Sequence, residues 1–313
     1  MSAELVNVLV DVVTAGGERI IVGVPCATRE IDLAQPSTAK PTATIKRSSS
    51  PQYPMPCHSW IGGKRHLVPH VLSLLPARIR TFRSPFLGAG AVELAALSLK
   101  RHDHAVLSDV NAWLIRQWGE VCADPAVVHA DLLRLEERQD HAEARRELNR
   151  GGWSPGLLAW IVTRSFSGMF RVNRSGKFNA PYDAAKKRPL PGLARLELVR
   201  DTVAGARISC RDFLEALPEV EEGDVQFLDP PYINTFDGYS ACGWGVPQVE
   251  TLFDGIRLAQ VKGATSILTE TVEILPWVEG LTGNVEVLQR AKGHVMNGAR
   301  KIKQMEVIVT VRP

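Results

Sequence analysis

Residues 225 to 232 read VQFLDPPY, and this stretch places two consecutive prolines directly after a short apolar run. Proline lacks a backbone N–H and has a fixed φ, so it does not fit inside a helix or a central strand. The run at Val225–Leu228 therefore predicts a buried strand that ends in a rigid turn. Ligands of α/β folds bind beyond the carboxyl ends of the strands. We therefore expect Asp229, Pro230 and Tyr232 to lie at a ligand-binding edge.

These three residues carry the groups that are needed to hold an exocyclic amino group. The Asp229 carboxylate and the Pro230 carbonyl can accept its two N–H bonds, and the Tyr232 ring can stack on the base. An aromatic amine is a poor nucleophile because its lone pair is delocalised into the ring. Acceptors that pull both hydrogens out of plane would aim the lone pair at an electrophilic methyl group. This chemistry works by positioning and electrostatics rather than by a strong base.

A second motif, PFLGAG at residues 85–90, lies between a predicted strand and a predicted helix. Gly88 and Gly90 let the backbone approach a ligand, and we expect them to present unpaired N–H groups at the positive end of the helix. Asp109 follows 19 residues after Gly90, where a Rossmann-like sheet uses an acid to bind ribose hydroxyls. Glu93 replaces the third glycine of a dinucleotide motif, and the sequence has no Walker lysine. The pattern favours a nucleoside cofactor without a pyrophosphate, for which S-adenosylmethionine is the obvious candidate.

The order of predicted strands and helices indicates an α/β fold with a mostly parallel sheet and helices on both faces. Strands are predicted at residues 5–13, 19–24, 81–85, 105–107, 207–210, 225–228, 265–269 and 305–311. Helices are predicted at residues 67–75, after the glycine turn, through most of 111–205, and at 249–261. Residues 34–57 are rich in Pro, Ser and Thr and predict a linker.

Composition excludes several classes of protein. The chain has 313 residues, 45% of them hydrophobic, and a net charge of +3. No apolar stretch reaches the roughly 18 residues of a membrane span, and the first residues lack the basic region of a signal peptide. The five scattered cysteines form no CxxC pair, which argues against disulfide and zinc frameworks. We expect no metal, no membrane association and a cytoplasmic, nucleoid-associated location.

Positive charge is concentrated in two runs. Residues 164–195 contain eight basic residues and one acid, Asp183, and residues 290–303 contain five basic residues and no acid. One such run is commonly a solvated face. Two runs together with the nucleoside motif favour a surface that faces phosphates.

Six motifs together resemble the Dam-type DNA adenine-N6 methyltransferases in their alpha arrangement. They span about residues 58 to 311 and read WIGGK at 60–64, PFLGAG at 85–90, SDVN at 108–111, RVNRSGKFNAPY at 171–182, FLDPPY at 227–232 and MNGARKIKQMEVIVT at 296–310. The resemblance implies a Rossmann-like methyltransferase fold with a mostly helical DNA-recognition insert. It also implies S-adenosylmethionine as cofactor, S-adenosylhomocysteine as product and double-stranded DNA as substrate. That family usually has a glutamate before PF, where this chain has Ser84.

The resemblance assigns roles to matching positions. The residues expected to contact the cofactor are Trp60, Lys64, Phe86, Gly88, Gly90, Asp109 and Asp229, with Lys64 pairing with the methionine carboxylate. The catalytic residues are Asp229, Pro230 and Tyr232, which would grip a base flipped out of the duplex. The residues expected to contact DNA are Arg171, Asn173, Arg174, Lys177, Lys186, Lys187, Arg188, Asn297 and Arg300. For Phe170 and Phe178, core packing is favoured over contact with DNA.

The sequence patterns, together with a resemblance that has no counterpart for residues 1–57, suggest how the chain is divided. The expected parts are an N-terminal hairpin-like extension at 1–30, a flexible linker at 31–57, a catalytic domain at 58–112 and 206–313, and a target-recognition insert at 113–205. A cognate restriction nuclease is a candidate partner, and the chain is expected to be a monomer or a weak dimer. Three alternatives stay open: a cytosine-N4 methyltransferase, an RNA methyltransferase and a DNA-binding protein with a degenerate catalytic site.

Overall fold

Nine strands and ten helices are present in the described part of the computed structural model, which covers residues 6–13, 19–26, 53–185, 188–233, 244–297 and 300–313. The strands are β1 Val6–Val13, β2 Arg19–Cys26, β3 Ile79–Ser84, β4 His102–Asp109, β5 Arg207–Cys210, β6 Val225–Leu228, β7 Thr265–Thr271, β8 Asn284–Asn297 and β9 Arg300–Arg312. The helices are α1 Val68–Leu74, α2 Ala91–Ser98, α3 Ala112–Ala123, α4 Pro125–Arg138, α5 His141–Asn149, α6 Leu157–Arg164, α7 Leu193–Thr202, α8 Phe213–Ala216, α9 Val246–Val261 and α10 Leu275–Val278.

Seven of these strands form one mixed sheet in the order β5-β4-β3-β6-β7-β9-β8. The first five in that order are parallel, and β9 runs antiparallel to both β7 and β8. The chain moves outward from β3 to β5 and then returns to place β6 on the other side of β3. Such a reversal creates a crevice at the carboxyl ends of the central strands, where open α/β sheets bind ligands. The predicted Rossmann-like α/β class is confirmed.

The sheet is covered on both faces, so all of β6 and nearly all of β7 are buried. Neighbouring residues of one strand belong to different cores because side chains alternate across a sheet. Phe227 and Ile267 pack in one buried cluster with helices α2 to α7. Leu228 and Leu268 pack in the other with α9. The end of β6 is therefore packed between two hydrophobic cores.

The predicted helical insert is present between β4 and β5, where α3 to α7 follow one another. Capping residues set its helix starts: Asn111 Oδ1 accepts from Leu114 N at 3.1 Å, and Asp140 Oδ1 accepts from Glu143 N at 2.8 Å. Helix α6 is buried along its whole length and forms the centre of the insert. The recognition role of this insert remains a prediction at this stage.

Two parts of the sheet differ from the sequence-based expectation. Strand β8 was not predicted, and β9 begins at Arg300 rather than at residue 305. The β8 sequence NVEVLQRAKGHVMN mixes charged and apolar residues without strict alternation, and its extended form comes from pairing with β9 along most of its length. The register of that pairing shifts between Ala291 and His294.

The N-terminal strands β1 and β2 pair antiparallel in a sheet of their own, with Val6 opposite Cys26. Most of the predicted linker lies outside the described residues, but its last residue, Cys57, is fully buried in the main core. The division of the chain into four parts stays a prediction. Every helix in the described ranges is too short or too polar to traverse a lipid bilayer.

Candidate active site

The Asp-Pro-Pro-Tyr corner lies at the carboxyl end of β6, as predicted. Strands β6 and β7 are parallel neighbours with Leu228 opposite Leu268, so Thr269 lies beside Asp229. Thr269 Oγ1 donates to Asp229 Oδ1 at 2.7 Å, and Lys64 Nζ lies 2.8 Å from the same oxygen. No other hydrogen-bond partner of the Asp229 carboxylate is found among the described residues. One oxygen is therefore held by the protein, and Oδ2 is left available.

Lys64 connects this corner to the chain segment before α1. Its side chain is only 5% exposed, and its Nζ also donates to the Gly62 carbonyl at 2.7 Å. The ammonium lies 4.5 Å from the centre of the Tyr232 ring, within cation–π range. The sequence placed Lys64 near the cofactor but did not predict its contacts with Asp229 and Tyr232. An ion pair between positions 64 and 229 leaves no local pattern in a sequence.

The glycine turn after β3 lies at the same edge, because β3 is paired with β6 in parallel. Gly88 and Gly90 have φ of 51° and 75°, in the left-handed region that favours glycine. Gly88 N donates to Asp109 Oδ2 at 2.9 Å, and Gly90 N donates to the Leu87 carbonyl at 2.9 Å. The expectation of unpaired N–H groups at these two glycines is therefore wrong. The Asp109 carboxylate and the turn itself satisfy them.

Asp109 ends β4, as predicted, and caps two chain segments at once. Its Oδ1 accepts from Asn111 N at 2.9 Å, while its Oδ2 accepts from Gly88 N. Burial raises the pKa of Asp109, and the two N–H bonds oppose that rise. Each carboxylate oxygen has a second lone pair. Asp109 can thus fix the turn and still accept a hydroxyl from a ligand.

Two tryptophans border the turn, and they explain in different ways why positions 88 and 90 are glycine. Trp118 Nε1 donates to the Gly88 carbonyl at 3.0 Å, and a Cβ on Gly90 would lie 2.8 Å from the Trp118 ring. Gly90 is therefore required by packing. A Cβ on Gly88 would lie 3.6 Å from Trp60 Cδ1, at ordinary contact distance. Gly88 leaves a small gap beside the Trp60 indole, which stacks on Phe170 at 5.3 Å.

The aromatic residues near the site are mainly packing residues. Phe170 and Phe178 are buried, so the favoured core role is confirmed for both. Phe86 is half-buried and packs on Phe213 and Trp244, at centroid distances of 5.3 and 5.7 Å. The expected contact of Phe86 with the cofactor stays a prediction.

Glu93 is a buried acid of this region that the sequence did not identify as functional. It is 3% exposed, and Ser84 Oγ donates to its Oε1 at 2.7 Å. Burial raises the pKa of Glu93 to about 8, and the carboxylates of Asp229 and Asp109 add to the rise. Acids are common in the first turn of helices, so position 93 gave no signal of burial. Three acids thus gather around the glycine turn.

Two more acids support the segment that follows the corner. Glu270 Oε1 accepts from Ile233 N at 2.8 Å, and burial raises the pKa of Glu270 to about 8. Glu306 Oε1 accepts from the Tyr232 hydroxyl, and His66 Nε2 lies 2.6 Å from Glu306 Oε2. Glu306 belongs to the C-terminal motif quoted from the sequence, which gave it no role.

The basic loop of the insert forms a tight hairpin at residues 171–179. Asn173 N donates to the Lys177 carbonyl at 2.9 Å, and Asn173 Oδ1 accepts from Ser175 N and Lys177 N, both at 3.0 Å. Arg171 donates to the Asn179 side chain at 2.7 Å and to its carbonyl at 2.9 Å. Arg174 and Lys177 are exposed at the tip. Arg171 and Asn173 therefore shape the hairpin that presents the other two.

The remaining residues predicted to contact DNA are distributed as follows. Arg188 donates to the Ser165 carbonyl at 3.1 Å and lies 3.7 Å from Asp183, so its side chain is held inside the insert. Lys186 and Lys187 lie outside the described residues. Asn297 ends β8 and Arg300 begins β9, opposite each other in the register, and their side chains are not among those described.

The glycine turn follows β3, Asp109 ends β4, and the Asp-Pro-Pro-Tyr corner follows β6. Together they define a methyltransferase of the S-adenosylmethionine-dependent α/β fold. The sequence profile of the D12 class N6 adenine-specific DNA methyltransferases matches residues 60–271. The chain belongs to this family. It is a DNA adenine-N6 methyltransferase, which confirms the predicted activity and decides against the cytosine-N4 alternative.

Several curated proteins are similar over most of the chain. Type II methyltransferase M1.LlaDCHI from Lactococcus lactis subsp. cremoris is 26% identical over 82% of this chain and 94% of its own length. The DNA adenine methylase of Vibrio cholerae is 25% identical over 81% of this chain and 95% of its own. The DNA N-6-adenine-methyltransferase of Escherichia phage P1 is 26% identical over 82% of this chain and 34% of its own.

We predict that Glu93→Gln makes the protein less sensitive to alkaline pH. The pKa of Glu93 is raised from 4.5 to about 8 on folding, so the folded state binds this proton more tightly than the unfolded state. Its stabilising contribution is complete below about pH 4.5 and is lost as pH rises toward 8. The unfolding free energy of the variant relative to wild type should therefore increase by up to about 4 kcal/mol between pH 5 and 8. Urea titrations at several pH values measure this difference.

Glu197→Gln is the matched control, because Glu197 is an exposed acid on α7. Its unfolding free energy should stay parallel to that of wild type across the same pH range. If the Glu93→Gln curve also runs parallel to wild type, Glu93 does not hold its proton in the folded state.

Proposed function

We propose that the chain methylates adenine at a specific site in duplex DNA, on a base turned out of the helix into the Asp229–Tyr232 corner. The observation that carries this proposal is that the two oxygens of the Asp229 carboxylate have different environments. Lys64 and Thr269 both bind Oδ1, which leaves Oδ2 to accept from the target amino group. The Asp229 side chain follows buried β6 and is 19% exposed, which keeps that oxygen reachable.

The second acceptor for the amino group is the Pro230 carbonyl. Two successive prolines fix φ on both sides of this carbonyl, so it does not reorient when the base enters. Two acceptors in fixed positions hold both amino hydrogens and direct the nitrogen lone pair away from them. This costs little reorganisation at the moment of reaction, which is the main advantage of a preorganised polar site.

Tyr232 is proposed to stack on the adenine through the ring face that Lys64 does not cover. Its hydroxyl stays protonated because burial and the nearby carboxylates of Asp229 and Glu306 raise the pKa of the phenol. A neutral ring is a good stacking surface for a neutral base. Turning a base out of a duplex costs a few kcal/mol, and this stacking offsets part of that cost.

The residues around the glycine turn fit S-adenosylmethionine, the cofactor that the family implies. The gap that a Cβ on Gly88 would fill lies beside the Trp60 indole, and Asp109, which accepts from Gly88 N, has further lone pairs for ribose hydroxyls. The partly exposed Asp229 carboxylate favours a cationic ligand. When bound, the cofactor supplies an electrophilic methyl group on a positively charged sulfur. Trp60, Gly88 and Asp109 are the residues proposed to hold it.

The tip of the hairpin at residues 171–179 is proposed to contact the DNA backbone. Arg174 and Lys177 are exposed there, and the internal bonds of Arg171 and Asn173 keep the tip rigid. We therefore assign DNA contact to Arg174 and Lys177 and a shaping role to Arg171 and Asn173. A cognate restriction nuclease and a monomeric or weakly dimeric state stay proposals without a structural argument.

The first test is Asp229→Ala, which we expect to abolish adenine methylation. The variant loses the acceptor for the amino group, and it leaves the Lys64 ammonium, which is only 5% exposed, without its carboxylate partner, so circular dichroism is used to check that the variant is folded. Mass spectrometry of nucleosides from DNA treated with the variant should show N6-methyladenine below about one hundredth of the wild-type amount, as expected for the loss of a key positioning group. Asp201→Ala, which removes an exposed acid on α7, should leave the yield unchanged. A variant that keeps more than a few per cent of activity would refute the role of Asp229.

The second test is Gly88→Ala, which we expect to weaken S-adenosylmethionine binding about tenfold or more, measured by calorimetry. Alanine at φ of 51° costs about 1 to 2 kcal/mol of strain, and its Cβ enters the gap beside Trp60. Gly205→Ala is the matched control, because Gly205 has φ of 84° and its Cβ would meet nothing within 4 Å. The control should lose similar stability and bind the cofactor normally. Equal affinities in the two variants would place the cofactor elsewhere.

The third test replaces both Arg174 and Lys177 by alanine. Each phosphate contact contributes about 0.9 to the slope of log K against log salt, so the double variant should lower that slope by about 1 to 2 in fluorescence-anisotropy titrations with duplex DNA. Arg78→Ala with Arg101→Ala is the control, since these exposed residues precede β3 and β4 at the opposite edge of the sheet. Unchanged slopes in the hairpin variant would mean that its tip faces only solvent.

A further inference from the structure

Glu306 links the catalytic tyrosine to the segment that carries Lys64. The Glu306 side chain is 1% exposed and lies on β9 opposite Thr271. One of its oxygens accepts from the Tyr232 hydroxyl, and the other lies 2.6 Å from His66 Nε2. His66 belongs to a 3₁₀ turn, Arg65–Leu67, that directly follows Lys64. Residues 64 and 66 therefore reach the corner at two different points.

Burying the Glu306 carboxylate at this position costs free energy, which argues that the acid has a function. The next residues of β9, Val307, Ile308 and Val309, are all apolar and buried. An acid withdrawn from water costs several kcal/mol unless hydrogen bonds replace its hydration. Tyr232 and His66 provide such bonds, one to each oxygen. An apolar residue would satisfy packing at this point of the strand without that cost.

The geometry of a tyrosine explains what the bond to Glu306 can do. The hydroxyl lies on the axis about which the ring rotates, so a bond to it does not set the ring plane. It fixes the far end of the ring and hence the direction of the Cα–Cβ–ring arm. The Lys64 ammonium, 4.5 Å from the ring centre, restricts one face. The two contacts together fix the position of the ring and leave the base the face opposite Lys64.

We propose that Glu306 is a positioning residue that, anchored by His66, holds Tyr232 where it stacks on the target adenine. The inference rests on the proposed stacking role of Tyr232. It gives the segment at residues 64–66 two functions, because Lys64 fixes Asp229 directly and His66 fixes Tyr232 through Glu306. The residues that fix Asp229 and Tyr232 thus both come from one short stretch of chain.

A double-mutant cycle in the 313-residue chain tests this proposal. The variants are Glu306→Gln, Tyr232→Phe and the pair, which are close to isosteric and keep the packing. Replacing a charged acceptor by a neutral one should lower kcat about fivefold, the rate equivalent of the difference between a charged and a neutral hydrogen bond. Tyr232→Phe should lower kcat at least as much, and Glu306→Gln should add nothing in the Phe background. Calorimetric affinity for S-adenosylmethionine should stay within about twofold in all three, since the interaction acts on the base.

A spectroscopic readout separates positioning of the base from a general loss of structure. The methylated site is first located by sequencing DNA from cells that express the protein, and 2-aminopurine then replaces the target adenine in a duplex containing that site. Its fluorescence reports on unstacking from the duplex and on stacking against the protein. Glu306→Gln and Tyr232→Phe should change the bound-state signal in the same way. Glu286→Gln, which removes a partly exposed acid of β8 paired with Arg312, should change neither kcat nor fluorescence.

Tyr232→Ala distinguishes failure of this inference from failure of the proposed function. Suppose that Tyr232→Ala alters the fluorescence and kcat but Glu306→Gln matches wild type. Glu306 then does not position the tyrosine, and this inference is refuted while the proposed function stands. Additive effects of Glu306→Gln and Tyr232→Phe would also overturn it, because the acid would then act by another route. If Tyr232→Ala behaves as wild type, the stacking role itself is refuted.

Discussion

The ion pair between Lys64 and Asp229 is the constraint on which the rest of the site depends. The two groups lie 2.8 Å apart in a position that is largely withdrawn from water, and such a pair is maintained only if further hydrogen bonds compensate its lost hydration. Thr269 and the Gly62 carbonyl provide them. The consequence is a carboxylate that cannot rotate, with one oxygen committed and the other open. A freely rotating Asp229 would offer an incoming amine no fixed acceptor.

The parallel sheet brings Asp229, Thr269 and the glycine turn to one edge, and Lys64 reaches that edge from the segment before α1. Strands β3, β4, β6 and β7 end at one edge, so residues at their ends gather there although Gly88 and Thr269 are 181 positions apart in the chain. The antiparallel β9 then passes beside β7 in the opposite direction and delivers Glu306 to the same place. A carboxyl edge built only from parallel strands would have no side chain at the position from which Glu306 reaches the Tyr232 hydroxyl.

Local patterns in the sequence were sufficient for the framework of the fold and the site. Strands β5 and β6 were predicted with their observed bounds, and the positions of Asp109 and Asp229 at strand ends followed from apolar runs that stop at polar residues. Lys64, Thr269 and Glu306 acquire their partners only through tertiary pairing, which no periodicity reveals. The same limit explains the glycine turn: its φ values suit glycine, but whether its N–H groups are free depends on Asp109, 21 residues away. Edge strand β8 is extended because β9 pairs with it, so its own sequence gave a weak signal.

The distribution of charge supports the proposal that the phosphate backbone and the target base contact different parts of the protein. Glu93, Asp109 and Asp229 surround the glycine turn, with Lys64 as the cation paired among them, and the raised pKa of Glu93 shows how poorly this region accommodates further negative charge. A phosphate would be repelled there, whereas a neutral base and a cationic sulfur would not. Phosphates are instead attracted to an exposed basic tip such as that of the hairpin at residues 171–179. A nucleotide can satisfy both environments only if its base leaves the duplex while its backbone stays outside, which is the geometry that methylation of a paired base requires.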